Sequence, residues 1–597
     1  QDQFLICDYR GGPAASGIWR FGISPAGAGF KVSDSAKFNW GAAVTDVEWG
    51  YDGKIYVADF ITGWTSHEAG RVYTLSQPGL AEDQTVNEVA SLFKKGFSTF
   101  DSNTLARLLK HPDQRVRLRA QYHLVKKPEA LALFTAAANQ RLNEMERLHG
   151  VWGLGMLARL NKSDNATNFL ARLLSHKDAH VRGQTAQALG ESTLSDSSIL
   201  IPLLKDSSTR VQALAALALN RKPHPAAVTP LVDILIQNNN DDPYLRHAVI
   251  MGLVGCAGAD GFADLLKHES PAVRLASVVG LRRLRDDRLV LALTDKEPKI
   301  SDEVIRAIHD LSIETVRPAL AALLDDYATG GPGRKITPIM MRRLIHSGYR
   351  IGGEKNMARL VKIATNEQIS MTERKEVLRL LSLWAEPHIV DQSIGKYAPL
   401  PKRDPAVVKS QLEKNFPALL NSGPAITGLA MKIASQYKID LKSLLDSGKL
   451  THLIRDEKIE PATRVEALKQ LLETTPEHSS ELLTEAAQSK NDLLANAALE
   501  LAAKRNPRAS VAAVIGALKS ESITRRQKAW EIAATLPAEF SVPLIRDGLT
   551  ALTTGKGDLS SALELLAAAK QREEPAIKSA LESYQGTLKE DAPLDHW

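Results

Sequence analysis

One short phrase recurs along the chain, and its spacing decides most of what the chain can fold into. A Leu pair closes a helix at Leu108-Leu109, Leu173-Leu174, Leu203-Leu204 and Leu265-Leu266. A polar turn follows, and a second helix opens on Val116-Arg117, Val181-Arg182, Val211-Gln212 or Val273-Arg274. The step from Val181 to Val211 is 30 residues, and degenerate copies at Glu146-Arg147 and Leu245-Arg246 fill the gaps. A helix pair at that period cannot bury its apolar face alone. It must stack on its neighbours, which gives a solenoid. After Val273 the apolar or small positions 273, 276, 277, 280 and 281 form one helical stripe, as a stacked helix requires.

The first 76 residues are of another kind. They hold Trp19, Trp40, Trp49 and Trp64, half of the eight tryptophans, between Gly-rich joints. Strand-like runs start at Phe4, Gly17, Ala43, Lys54 and Gly70, and Tyr51-Asp52-Gly53 has the composition of a hairpin turn. So few strands leave open sheet edges. They suit either the last one or two blades of a β-propeller or a small β-cap on the solenoid.

The expected fold class is therefore mostly α: a solenoid of helix pairs with a small N-terminal antiparallel β segment. The expected segments are 1–76 (β), 83–327 and 334–589 (two halves of a helical array) and 590–597 (a linker tail). Breaks fall at Gly330-Gly331-Pro332-Gly333 and between Tyr397 and Pro405.

The net charge of +6 on 597 residues is small, and acids and bases are interspersed. That balance excludes a dedicated nucleic-acid binder, which concentrates basic residues on one face. Cys7 and Cys256 allow at most one disulfide and no metal cluster. No apolar run reaches the roughly 20 residues of a membrane span. The chain opens on Gln1 and runs almost at once into a strand, so it is expected to be a piece of a longer protein. Asn161-Lys162-Ser163 and Asn165-Ala166-Thr167 match the glycosylation sequon.

The turn phrase and its period resemble HEAT repeats of the short bacterial type. The run from Asp46 through Phe60, with Gly63-Trp64 and Gly70-Arg71-Val72-Tyr73, resembles the closing blades of a sorbosone- or glucose-dehydrogenase-type propeller. The order propeller then HEAT array is similar to large exported proteins of planctomycete and verrucomicrobial-type bacteria. In those proteins a c-type cytochrome domain follows. The resemblance implies a periplasmic or otherwise exported parent, with haem c and pyrroloquinoline quinone in its other parts. It also implies a Cys-x-x-Cys-His motif within about a hundred residues beyond Trp597, a distance set by domain size. This chain has no such motif, so no cofactor is expected in it.

Candidate site residues are few. Asp46, Asp59, Trp64 and Arg71 stand at or near strand ends. There they either line a channel mouth and touch a cofactor or sugar, or bond turn amides and pair locally. Arg117, Arg182 and Arg274, with Asp113, Asp178 and Asp206, either bind phosphate or form a ladder between repeats. In the ladder each Arg pairs with a turn acid or helix-end carbonyls of its neighbour. His67-Glu68 lacks the second histidine of a zinc-protease motif, and Gly330 to Lys335 lacks the Gly-Lys-Ser/Thr end of a phosphate loop. Asn238 to Asp242 lacks calcium-loop spacing and reads as an inter-helix loop. Cys256 reads as a small core residue.

No nucleophile, base and orienter occur at a plausible spacing, so no catalytic residue is assigned. The expected function is a non-catalytic scaffold, with a protein partner along the solenoid surface, joining a dehydrogenase-like propeller to a haem domain outside this chain. The alternatives are the tail of a quinoprotein-type sugar dehydrogenase and an unrelated HEAT-repeat binding protein.

Overall fold

A computed structural model describes residues 3–61, 69–79, 82–328, 336–441, 444–474 and 479–588. The chain divides into two compact units, Gln1–Ile313 and Glu314–Trp597.

The first unit opens with two antiparallel three-stranded meanders. One is β1 (Phe4–Asp8), β2 (Gly17–Ala26) and β3 (Gly29–Trp40); the other is β4 (Val44–Trp49), β5 (Ile55–Asp59) and β6 (Arg71–Leu75). Period-two alternation puts Ile18 on one face of the first sheet and Val44, Ile55 and Val57 on the facing side of the second. These four are 0–5 % exposed and form a small shared core. The opposite face of the first sheet stays open, with Phe4, Ile6, Ile23 and Val32 exposed.

The rest of the unit is helical: α1 (Gln84–Lys95), α2 (Ser102–Leu108), α3 (Gln114–Leu124), α4 (Ala130–Ala138), α5 (Glu144–Leu160), α6 (Asp164–Leu173), α7 (Ala179–Gly190), α8 (Thr209–Arg221), α9 (Val228–Asn238), α10 (Pro243–Cys256), α11 (Gly258–Leu265), α12 (Pro271–Leu284) and α13 (Pro298–Asp310). Tight helical turns at Ser197–Lys205 and Asp287–Ala292 act as the first helices ahead of α8 and α13. Among the described residues this makes seven pairs from α2 to α13. The second helices stack in order, α5 on α7, α7 on α8, α8 on α10, α10 on α12 and α12 on α13. This is an α-solenoid of HEAT-type pairs.

Local chemistry starts most of these helices. Asp101, Asp113, Asn143, Ser163, Asp178 and Asp242 accept an amide of the first turn, and Pro243, Pro271 and Pro298 occupy the first helical position. Val116, Val181, Val211 and Val273 are 0–1 % exposed, so the repeat register read from the phrase is the packed one. Helices α4 and α5 meet closely at Gly150, where a Cβ would lie 2.3 Å from the Ala138 amide nitrogen.

The second unit is also a helical array: α14 (Arg317–Ala328), α15 (Pro338–Ile351), α16 (Gly353–Thr365), α17 (Met371–Ser382), α18 (Pro405–Leu420), α19 (Pro424–Tyr437), α20 (Ser447–Arg455), α21 (Pro461–Thr474), α22 (Ser479–Ala487), α23 (Asp492–Arg505), α24 (Pro507–Leu518), α25 (Ile523–Ala533), α26 (Ala538–Thr553), α27 (Ala562–Lys570) and α28 (Pro575–Gln585). Here α15 packs on α17, α17 on α19, α19 on α21, α21 on α23 and α23 on α25.

The two units divide between Ile313 and Glu314, ahead of the Gly330–Gly333 break from which the sequence suggested a division. Residues 330–333 and the 590–597 tail lie outside the described residues. The break between Tyr397 and Pro405 is not a bare linker. Residues 383–404 carry a two-stranded ribbon, β7 (Val390–Asp391) and β8 (Lys396–Tyr397), packed on the array. Trp384 at its root is fully buried, and Arg403 at its end lies over the Trp384 and Tyr349 rings, 4.5 Å and 5.1 Å from their centroids.

Candidate protein-binding groove and the turn ladder

The repeated arginine bonds first to its own turn. Arg117, Arg182 and Arg274 each donate from Nη1 to the carbonyls six and five residues back, at 2.7–3.0 Å. Arg526 in the second unit does the same toward Ser520 and Glu521. In the repeats of Arg117, Arg182 and Arg274 the carbonyls lie in the turn, three and four residues past the end of the first helix, and the guanidinium ties that turn to the second helix.

What the arginine meets next depends on the following repeat. Arg182 makes two parallel bonds to Asp206, Arg274 two to Asp295, and Arg526 one to Asp558. Each of these aspartates also accepts the amide two residues ahead of it, closing its own turn. In other repeats the same position is His111, His176 or His268, whose Nδ1 accepts that amide. An imidazole can close the turn but has no second oxygen for an arginine, and at the His176 turn the preceding repeat's Arg147 bonds Asp178 instead.

This sharpens the sequence expectation. Asp206 pairs with Arg182, and the pairing holds its carboxyl below the usual range. Asp113 and Asp178 cap helices and pair with Arg115 and Arg147 instead. The carbonyls taken by each repeated Arg belong to its own turn, not to its neighbour. Arg182 and Arg274 thus each commit four of the five guanidinium N–H donors to partners within the array.

Arg117 meets no acid of the next repeat; it meets His149, donating from Nε to Nε2 at 3.2 Å. A guanidinium only donates, so the His149 proton sits on Nδ1, which lies 2.6 Å from Gln121 Oε1. Burial, and then the charge of Arg117, push the His149 pKa down to about 4. The relay ends with Gln121 Nε2 donating to Met156 Sδ at 3.1 Å.

Above this relay the second helices α3, α5 and α7 form a groove of about 260 Å³. Gln121 and Met156 lie in its floor. Tyr122, Trp152, Gln184 and Gln187 line it, and Arg159 and Glu191 stand at one end, 2.8 Å apart. Trp152 is held edge-on to His149, with centroids 4.9 Å apart, and donates from Nε1 to Gln184 Oε1 at 2.7 Å. The Gln184 amide NH₂ group is on the same groove wall. Sequence reasoning missed this groove because its residues recur on different helices 30 or so positions apart, with no local motif.

The strand-end candidates come together only in part. Asp59 and Arg71 are register partners across β5 and β6, and Asp46 pairs with Ala58 beside them. Asp46 accepts the Val47 amide at 2.8 Å and Asp59 the Ile61 amide at 2.9 Å, while Arg71 donates to the Tyr73 hydroxyl at 3.0 Å. Trp64 and the His67-Glu68 pair lie outside the described residues. Among the described residues no three His, Cys, Asp or Glu side chains stand close enough to hold a metal ion. Asp46, Asp59 and Arg71 thus use their polar atoms on their own strands and turns. Cys256 is half-buried rather than core, with Sγ 3.6 Å from the Leu219 carbonyl oxygen. No helix of the described residues is long and apolar enough to cross a membrane.

No family model matches the chain. It is similar to Protein YibA of Escherichia coli (strain K12), 26 % identical over 195 residues that cover 30 % of this chain and 70 % of that one. Among solved structures it is similar to Kap121p bound to Pho4p, with a TM-score of 0.38 and 12 % identity over 81 % of this chain and 54 % of that one. It is also similar to the chain of a Kap95:Nup1 complex, with a TM-score of 0.34 and 10 % identity over 85 % of this chain and 76 % of that one. The chain thus spans about half the length of Kap121p. The fold assignment rests on the helix pairs themselves.

Proposed function

We propose that this chain is a binding scaffold whose first unit takes an extended peptide segment of a protein partner along its second-helix face. The observation that carries this is the groove of Tyr122, Trp152, Gln184 and Gln187. The amide side chains of Gln184 and Gln187, one turn apart on α7, suit the main chain of an extended peptide, which offers donors and acceptors at a regular rise. The half-buried Trp152 and exposed Tyr122 supply rigid apolar surface at little cost in side-chain entropy. No group in the groove is set up as a nucleophile with its base, which favours binding over catalysis.

The test is selection from a random, unstructured peptide library on the full chain, followed by titration of the enriched peptides. Trp152→Ala and Gln184→Ala should each weaken binding about tenfold or more, as hot-spot truncations do. Failure to enrich any peptide, or enriched peptides indifferent to both substitutions, would reject the reading.

A second reading keeps the scaffold within a larger exported redox protein. It draws on the open face of β1–β3, where Phe4, Ile6, Ile23 and Val32 are 38–60 % exposed. Such a face suits a further β-sheet, as in a propeller whose other blades lie elsewhere. In this reading haem c and pyrroloquinoline quinone sit outside this chain. Mass spectrometry of the protein from its own cells decides it, by the presence or absence of covalent haem and of further sequence.

A further inference from the structure

We propose that the N-terminal β segment, seated on α3 by the β4–β5 turn and on α8 and α10 by the tip of the long β2–β3 hairpin, is a strap that holds the helix pairs from α3 to α10 at one curvature. It thereby sets the spacing of the second helices that line the groove.

The β segment touches the array at two separated places. At one end, Arg115 of α3 donates to the carbonyls of Trp49 and Gly50 at 2.7 Å and 3.1 Å. Tyr51 beside them stacks on Phe93 of α1, with centroids 3.8 Å apart. At the other end, the hairpin tip reaches α8 and α10. The Ala28 amide donates to Asp242 Oδ2 at 2.6 Å, and Arg210 donates to the Ala28 carbonyl at 3.2 Å while lying over the Phe30 ring.

The tip is shaped for that seat. Gly27 has φ +56°, and a Cβ on it would lie 2.2 Å from Asp242 Oδ2. A Cβ on Gly29 would lie 2.5 Å from the Tyr244 ring. At Gly27 the left-handed backbone favours glycine, and at both positions an added Cβ would displace the Asp242 or Tyr244 side chain. Arg115, Arg210 and Tyr244 each stand one residue before the repeat's Val or its equivalent, so the strap runs along one edge of the array.

Ten residues of β2 carry the tip roughly 33 Å from the root of the hairpin, and the first sheet is tied to the sheet that bears the Arg115 anchor through Ile18, Val44, Ile55 and Val57. From α3 to α10 there are four steps between second helices, about 8–10 Å each. A solenoid has contacts only between neighbours, so its bend is soft. A link from the first pair to the fifth removes that freedom. The groove between α3 and α7 lies wholly inside the strapped span. The strap stands independently of what the groove binds.

The test uses the full chain with Cys7 and Cys256 replaced by Ser and nitroxides placed through Arg119→Cys on α3 and His247→Cys on α10. Pulsed electron paramagnetic resonance reads the distance between them. In one variant Gly29→Leu drives a side chain into Tyr244. In a second, residues 24–31 are replaced by Asn-Gly, which joins the register partners Ile23 and Val32 by a two-residue turn and leaves nothing long enough to reach α10. The strapped chain should give one narrow distribution. The shortened hairpin should at least double its width, and Gly29→Leu should do the same if amide exchange shows Ala28 freed. An unchanged distribution in the shortened variant overturns the proposal, whatever Gly29→Leu does. Because no peptide enters the measurement, its outcome is separate from that of the groove.

Discussion

Arg182 and Asp206 face each other across adjoining repeats through two parallel bonds, Nε to Oδ2 at 2.7 Å and Nη2 to Oδ1 at 2.9 Å. Their side chains are only 15 % and 9 % exposed. Arg182→Ala removes both bonds and uncaps two carbonyls, leaving a largely buried carboxylate. It should cost about 3 kcal/mol, the usual penalty for breaking a buried pair from one side. Asp206→Ala should cost a similar amount, and the double variant much less than the sum. Urea unfolding of the four chains of that cycle checks this.

Stability should fall with acid through His149. Folded, it takes a proton only near pH 4; unfolded, near its ordinary 6.5. Between those values the unfolded chain binds a proton that the folded chain refuses. Stability is therefore full above about 6.5 and is lost as pH falls toward 4, by up to about 3 kcal/mol. His149→Gln should flatten this limb, which urea midpoints across the window would show.

Gly150→Ala should destabilise the first unit by about 1–3 kcal/mol, although Ala is the better helix former. The added methyl meets backbone of α4, which cannot swing aside as a side chain would. A thermal midpoint equal to or above that of the parent chain would show that α4 and α5 separate freely.

In the second unit, Arg403→Ala should free the ribbon of residues 383–404. Arg403 lies on Trp384 and Tyr349 and donates to both of their carbonyls, at 3.2 Å and 2.5 Å. Limited proteolysis should then cut between His388 and Leu400 about tenfold faster, as local unfolding becomes cheaper. The remaining helices should keep their cutting pattern.

The parts of this fold that were legible in the sequence are those set by short-range periodicity. Val116, Val181, Val211 and Val273 could be placed in the core because each begins an apolar stripe after a recognisable turn. Five of the six N-terminal strands were legible by alternation and by Asp52-Gly53, but β3 (Gly29–Trp40) was not. The Arg182–Asp206 pair was half legible: the residues were named, but the role of Asp113 and Asp178 as caps depends on which side of the turn each falls. The groove was not legible, since Tyr122, Trp152 and Gln184 become neighbours only through stacking. Nor was the seat of Ala28 on Asp242, 214 positions apart, where a run that reads as an ordinary Asn/Asp loop supplies the acceptor.

Arrays of helix pairs commonly change length by gaining or losing whole units, because any pair can stack on any other. A β segment of fixed reach acts here as a ruler. One more unit between Arg115 and Asp242 would move the Ala28 seat about 10 Å out of range, and one fewer would leave the tip overshooting it. The stretch from α3 to α10 is thus held to a count. Lineages of this protein should tolerate duplication in the unstrapped pairs beyond α10 while keeping the strapped number constant.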